Sequence, residues 1–246
     1  MKISVVTAVY NRRLSIEQAV QSVQDQSFEN YEHVIQDGGS MDGTLEIIDA
    51  ISDSRTRLES GPDTGIYDAI NRGIARSTGD VIGLMHSDDV FAHNNVLSSV
   101  AGAFEDPEID GVYGDLHYVS KSDPSKIIRN WVSGEYHPSK LRTGWMPPHP
   151  TLYLRREVFD KWGLYDTSFQ IAADYDAMLR YLVKGQINLS YVPEVFVKMR
   201  LGGESNKSLG RVVQKSREDY RAIKRNGVGG LGTLIRKNTR KIRQLF

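Results

Sequence analysis

Two aspartates, Asp88 and Asp89, stand where the apolar run Val81, Ile82, Gly83, Leu84, Met85 ends, and a second acidic turn, Asp37 through Thr44 (DGGSMDGT), follows an earlier apolar run. In open α/β sheets the ligand crevice lies outside the carboxyl ends of the strands, so groups far apart in sequence converge there. Adjacent carboxylates are costly unless a cation or hydrogen-bond donors satisfy them. Hard divalent ions such as Mg²⁺ or Mn²⁺ take oxygen ligands and leave positions for substrate phosphates. The pattern therefore points to a divalent metal and a nucleotide. An Asp-Asp pair after a strand is also an ordinary turn and helix cap, so the surrounding elements must decide.

Those elements alternate. Apolar, β-branched runs near 2–9, 32–36, 55–60 and 80–85 are interleaved with helical patterns near 15–26, 43–52 and 66–76, which argues for a mostly parallel sheet covered by helices. Ser15 with Gln18 three residues later has the form of a capping box, and Ile16, Ala19, Val20 and Val23 repeat at helical spacing. A helix near 93–105 follows the acidic pair, then strand-like runs near 110–119 and 126–132 and a loop rich in Pro and aromatics, Trp145 to Pro150. Residues 172–182 read as a helix whose start carries Asp174 and Asp176. The first hundred residues look like a nucleotide half and the next hundred like an acceptor half, fused into one domain.

The composition, 39% hydrophobic and 25% charged over 246 residues, suits one sizeable core. With no cysteine, disulfide frameworks, thiolate metal sites and Cys nucleophiles are excluded. The opening run Lys2 to Val9 is too short and too β-branched for the apolar region of a signal peptide. No run approaches the roughly 20 apolar residues that cross a bilayer, and a cytoplasmic protein is expected. Net charge is zero but unevenly spread: from Asn206 onward there are 12 Lys or Arg against 2 acids, leaving 19 basic and 29 acidic residues before it. An acidic crevice needs a cation before it accepts phosphates, whereas a basic tail suits an anionic surface.

Several motifs occur in an order that resembles the family 2 glycosyltransferases, which have a GT-A fold. They are Thr7 to Arg12 after the first strand, Asp37 to Thr44 after the second, Ser87, Asp88, Asp89, and Ala173, Asp174, Tyr175, Asp176 followed by Leu179 and Arg180. The run from Gly61 to Asp80, with Asp68 inside it, resembles the branch serving bacterial exopolysaccharide and colanic-acid-like assembly. The resemblance implies an α/β, Rossmann-like GT-A domain over 1–205 (nucleotide half 1–105, acceptor half 106–205) with a basic helical tail over 206–246. It also implies an inverting, metal-dependent transfer of a sugar from a nucleotide-diphosphate donor to a polysaccharide or lipid-linked saccharide.

By motif, Asp37 resembles the residue that hydrogen-bonds the donor base, and the loop of Thr7, Tyr10, Asn11 and Arg12 walls the nucleotide. Asp68 is grouped with the donor contacts, Asp88 resembles the ribose or sugar contact, Asp89 the ligand of Mg²⁺ or Mn²⁺, and Asp174 the general base. His86 and Ala173 depart from the acids many relatives carry there. His149, between prolines, is a candidate for facing the diphosphate or acceptor, and Arg200 for reaching the leaving phosphates from its loop.

For most of these picks an ordinary structural role competes. Asp42 reads as a helix cap, Trp145 and Tyr67 as packing rather than sugar platforms, and Gly227, Gly229 and Gly232 match the dinucleotide spacing without the strand it requires. The tail reads either as a solvated charged helix or, through Leu231, Leu234, Ile235, Ile242, Leu245 and Phe246, as an interfacial anchor on the inner face of the membrane. No nucleic-acid recognition motif is present. A sugar nucleotidyltransferase would carry a glycine-rich triphosphate loop that Thr7 to Arg13 lacks. A non-catalytic sugar-nucleotide scaffold would not need Asp89 and Asp174 together.

Overall fold

The computed structural model describes residues 1–202 and 209–243, with backbone alone at 209 and 240–243. Ile242, Leu245, Phe246 and the expected domain boundary at 205/206 lie outside what is so described. The chain runs β1 (Ile3–Val9), α1 (Ile16–Gln24), β2 (Tyr31–Asp37), α2 (Thr44–Ile51), β3 (Thr56–Ser60), α3 (Ile66–Arg76), β4 (Val81–Leu84), β5 (Val90–Phe91), α4 (Val96–Ala103), β6 (Gly111–Val119), β7 (Ile127–Trp131), β8 (Tyr153–Arg155), α5 (Arg156–Trp162), α6 (Ala173–Leu179), β9 (Leu189–Arg200), α7 (Leu209–Arg225) and α8 (Leu231–Arg243).

One sheet orders its strands β3-β2-β1-β4-β8-β6-β9-β5, with β7 paired to β6. β1 is parallel to β2 and β4, and β2 to β3. β8 lies antiparallel between β4 and β6, and β6 is parallel to β9. The sheet is therefore mostly parallel, and β1, β2 and β4 are buried on both faces, as strands beneath crossover helices must be. α1 buries Ile16, Ala19, Val20 and Val23, the stripe its spacing specifies, and α3 buries Tyr67, Ala69, Ile70, Gly73 and Ile74.

The capping box does not form. Ser15 makes no side-chain cap bond; its Oγ instead donates to the Ser87 carbonyl at 3.0 Å, and Gln18 accepts from Arg200. Both residues are spent on tying α1 to the rim of the crevice. β9 is a long element that the sequence hides, because Pro193 and Glu194 interrupt it. Tyr113 pairs with Tyr191 but Asp115 with Val195, so the strand bulges where the proline sits.

The basic tail is not a solvated appendage. α7 buries Ala222 and Ile223, and the link to α8 buries Val228, in the same core as α6. Lys237 of α8 is 3% exposed, with Nζ 2.5 Å from Asp219 Oδ1 and 3.3 Å from the centre of the Tyr175 ring. Gly227 and Gly229, at φ +70° and +144°, form that interhelix link; nothing there is a dinucleotide loop. Leu231 and Ile235, one turn apart on α8, are 63% and 60% exposed, while Leu234 packs against the core.

Candidate active site

The C-terminal ends of β1, β2 and β4, the start of α6 and the end of β9 form the crevice. At the end of β4 the two aspartates point differently. Asp89 is 1% exposed and Oδ1 accepts the Arg200 amide at 2.9 Å. Burial, then the neighbouring Asp88, pushes its pKa well above the usual carboxylate range, against the pull of Arg200. Asp88 is half-buried and is the carboxylate open at this strand end. The sequence reading assigns Asp88 to the sugar and Asp89 to the metal; in this structure Asp89 braces β9 through the Arg200 amide and Asp88 is the more open of the two.

Asp174, in the first turn of α6, opposes it. Its side chain is 25% exposed, His149 Nδ1 lies 4.0 Å from Oδ2, and the Tyr67 hydroxyl, which donates to the Ile171 carbonyl at 2.8 Å, lies 3.3 Å from Oδ1. His149 Nε2 is 2.9 Å from the Tyr165 hydroxyl, and its ring centre is 5.9 Å from that of His86. Burial pushes the His149 pKa down to about 4, outweighing Asp174, so the imidazole is neutral at working pH. Burial likewise lowers His86, opposed by Asp88 and then Asp174, so His86 feels both carboxylates. The Tyr67 phenol, raised well above its ordinary value by burial and then by Asp174, remains protonated. A partly open carboxylate flanked by neutral groups can take a proton from a bound hydroxyl.

α7 completes this corner. The Glu218 carboxylate accepts the amides of Gln170, Ile171 and Ala172 at 3.2, 2.8 and 3.0 Å, capping the segment that leads into Asp174. Glu218 and Tyr165 carry no sequence signal for this role, since their partners lie far away along the chain.

Of the remaining candidates, Tyr10 is 54% exposed on the rim. Asn11 adopts φ +50°, held by Ser40 Oγ on its amide at 2.8 Å and by Met41 N on its side chain at 3.1 Å. The Arg12 amide donates to Thr44 Oγ1 at 2.8 Å. Arg200 reaches the crevice, its guanidinium donating to the Asp88 carbonyl and Gln18.

Three expected donor contacts are engaged elsewhere. Thr7 is fully buried, with Oγ1 2.9 Å from His33 Nε2. Asp37 is fully buried, and its two oxygens accept from Gly39 N, Ser40 N, Ser40 Oγ and Ser60 Oγ at 2.5–2.9 Å, which builds the turn. Asp68 is bound by Thr64 N, Thr64 Oγ1 and Arg72 at the start of α3. Trp145 is 2% exposed and donates to the Ser133 carbonyl, in a packing role.

Among the described residues no three His, Cys, Asp or Glu side chains gather as a closed metal site. The one open carboxylate, Asp88, nevertheless fits an oxygen ligand of Mg²⁺ or Mn²⁺ whose coordination phosphates and water would complete. Among the described residues no helix is long and apolar enough to cross a membrane.

The model of Glycosyl transferase family 2 matches residues 4–170. An uncharacterized glycosyltransferase of Mycobacterium tuberculosis (strain H37Rv) is 29% identical over 187 residues, covering 72% of this chain and 68% of its own length. A PGL/p-HBAD biosynthesis glycosyltransferase of Mycobacterium bovis (strain BCG) is 27% identical over 208 residues, covering 82% and 78%. Among solved structures, S. aureus TarS 1–349 in complex with UDP-GlcNAc superposes with a TM-score of 0.72 at 16% identity, over 93% of this chain and 66% of that one. The chain spans 40% of the full TarS chain. The mannosyltransferase PcManGT from Pyrobaculum calidifontis, in complex with GDP-Man and Mn²⁺, gives 0.68 at 16% identity over 96% and 68%. These structural likenesses carry the fold, GT-A. The family match runs over more than half of the chain, across the ends of β1, β2 and β4 that line the crevice, and the protein belongs to glycosyl transferase family 2.

Proposed function

We propose that the protein transfers a sugar, with inversion, from a nucleotide-diphosphate donor to a hydroxyl of a saccharide or glycolipid, in a domain running from residue 1 to about 205 that the basic tail buttresses. The observation that carries this reading is the opposition of Asp88, from the nucleotide half, and Asp174, from the acceptor half, across His86 and His149. The donor class is supported by TarS and PcManGT, whose structures are complexes with UDP-GlcNAc and GDP-Man.

Tyr10, Asn11 and Arg12 wall the nucleotide, and Arg200 stands beside the diphosphate. Asp174 takes the proton of the acceptor hydroxyl as that oxygen attacks the anomeric carbon from the face opposite the leaving diphosphate, contributing about 10²–10⁴ in rate. Neutral His149 and Tyr67 flank the Asp174 carboxylate without neutralising it. Asp88 would hold Mg²⁺ or Mn²⁺, which would supply Lewis-acid stabilisation of the departing diphosphate. The exposed apolar ridge of α8, Leu231 and Ile235 among cations, fits an enzyme that works at the anionic inner surface of the cell membrane.

The test is calorimetry with UDP, GDP and dTDP, with and without Mn²⁺, on the parent and on Asp174→Asn. The expected result is binding of at least one diphosphate by both proteins, with transfer lost only in the variant. A variant that loses donor binding as fully as transfer refutes Asp174 as the base.

A further inference from the structure

Two segments flank the crevice carboxylate: the first turn of α6, which carries Asp174, and the loop 144–150, which carries His149. One tail residue touches both. On the α6 side, Lys237 Nζ lies 3.3 Å from the centre of the ring of Tyr175, the residue after Asp174. Tyr175 is 1% exposed and its hydroxyl has no hydrogen-bond partner among the described residues, so packing and the ammonium above its face locate the ring. On the loop side, the backbone of Lys237 runs against Gly144. A Cβ built on Gly144 would lie 2.6 Å from Lys237 Cα and 2.9 Å from its amide nitrogen, and the residue has φ +74°, so glycine is required on both counts. Pro147, Pro148 and Pro150 stiffen the short run from Gly144 past His149.

The ammonium is itself fixed. Lys237 Nζ lies 2.5 Å from Asp219 Oδ1, and Lys215 Nζ lies 3.1 Å from Oδ2. Burial raises the Asp219 pKa, but the two lysines outweigh it, so the carboxylate stays ionised. A buried ion pair is often no more stabilising than apolar residues of the same volume. What the lysine supplies here is direction, from Asp219 of α7 onto the Tyr175 ring.

Resting on Asp174 as the base, we infer that Lys237 is a positioning residue for the transfer step. It fastens the loop that carries His149 to the helix that carries Asp174, and so sets the 4.0 Å between them. It does this from outside the span 4–170 that matches the family. A shift of about 1 Å in a catalytic group costs on the order of 10²-fold in rate. Loosening the clasp should therefore lower turnover without weakening donor binding.

The experiment compares the parent with Lys237→Met, which keeps the volume and leaves Asp219 paired with Lys215, and with Lys237→Met combined with Asp219→Asn, which removes both buried charges. Hydrogen exchange reads residues 144–151 and 172–178 and needs neither donor nor acceptor. Calorimetry with UDP and GDP plus Mn²⁺ reads donor binding, and release of the free diphosphate from UDP-GlcNAc or GDP-Man reads turnover, with Asp174→Asn as the reference. Both variants are expected to exchange the two segments at least tenfold faster while β1 to β4 keep their protection. They should bind the diphosphate as the parent does and turn over at least tenfold more slowly. Unchanged exchange in the two segments overturns the inference, and so does a loss of protection spread equally over β1 to β4, which marks a merely structural role. Unchanged turnover in the variants, where Asp174→Asn abolishes it, overturns it as well. Turnover that survives Asp174→Asn overturns the base reading instead, and the exchange result still decides whether Lys237 holds the two segments together.

Discussion

Glu218→Ala tests whether the tail helices belong to the catalytic apparatus. The substitution removes one carboxylate that accepts three consecutive amides, Gln170, Ile171 and Ala172. Gln170 is exposed and water replaces its bond, but Ile171 and Ala172 are 8% and 1% exposed, so two amides are left without a partner. Hydrogen bonds to a charged group contribute about 1.5–3 kcal/mol each, and at the low end two of them give about 3 kcal/mol. For a chain of this size that lowers the melting temperature by roughly 6–12 °C. Glu218→Gln retains an oxygen at the same reach, and because a neutral acceptor is about half as strong, the loss should be about half as large.

The same cap positions Asp174, one turn on. A displacement of about 1 Å in a catalytic group costs on the order of 10²-fold in rate, so kcat should fall far more than donor affinity. Thermal melts, initial rates and donor calorimetry on both variants provide the assay. If Glu218→Ala melts within about 2 °C of the parent and turns over at the same kcat, the reasoning is refuted.

Two further outcomes are expected. Glu32, 3% exposed, receives Thr78 N, Ser4 Oγ, Thr78 Oγ1 and Lys2 Nζ at 2.5–3.0 Å; burial pushes its pKa up, but these donors outweigh it and hold the pKa at about 2 instead of 4.5. A carboxylate lowered on folding stabilises above its unfolded pKa, so about 3 kcal/mol is fully present above pH ~4.5 and drains away as pH falls toward ~2. Urea unfolding across that window should show the loss in the parent and a flatter profile in Glu32→Gln; identical profiles would contradict it. Ile235→Asp places a charge on the outward ridge of α8 and forfeits about 1.5–3 kcal/mol of apolar insertion. Sedimentation with anionic vesicles should fall about tenfold or more, and a parent that ignores such vesicles would sink the membrane proposal.

The alternation of β1 to β4 with α1 to α3 was legible because these strands are buried on both faces and their helices carry one apolar stripe. β9 was not, since Pro193 sits in its bulge and a bulge is made by pairing, not by composition. Motifs gave residue types but not directions. Asp88 and Asp89 are equal in sequence, yet one faces the crevice and the other the Arg200 amide. Ser15 and Gln18 fit a capping box and are used instead by partners more than 70 residues away. Asp37 carries the motif, and its bonds to Gly39, Ser40 and Ser60 were not readable from it. Glu218 had no local signature, because its amides lie 46–48 residues upstream.

The three-residue strand β8 has a consequence for how the chain is born. Among the described residues it alone joins β4 to β6, yet it follows β4 by the whole span from Leu84 to Tyr153. At about 5–20 residues per second a ribosome needs roughly 3–14 s to make that span. Throughout it the nascent β1–β2–β3–β4 half presents a bare, apolar strand edge of the kind that recruits other chains. Cellular yield should therefore depend on whatever shields that edge during synthesis, and an intact chain refolding from denaturant, with β8 already present, should be spared the exposure.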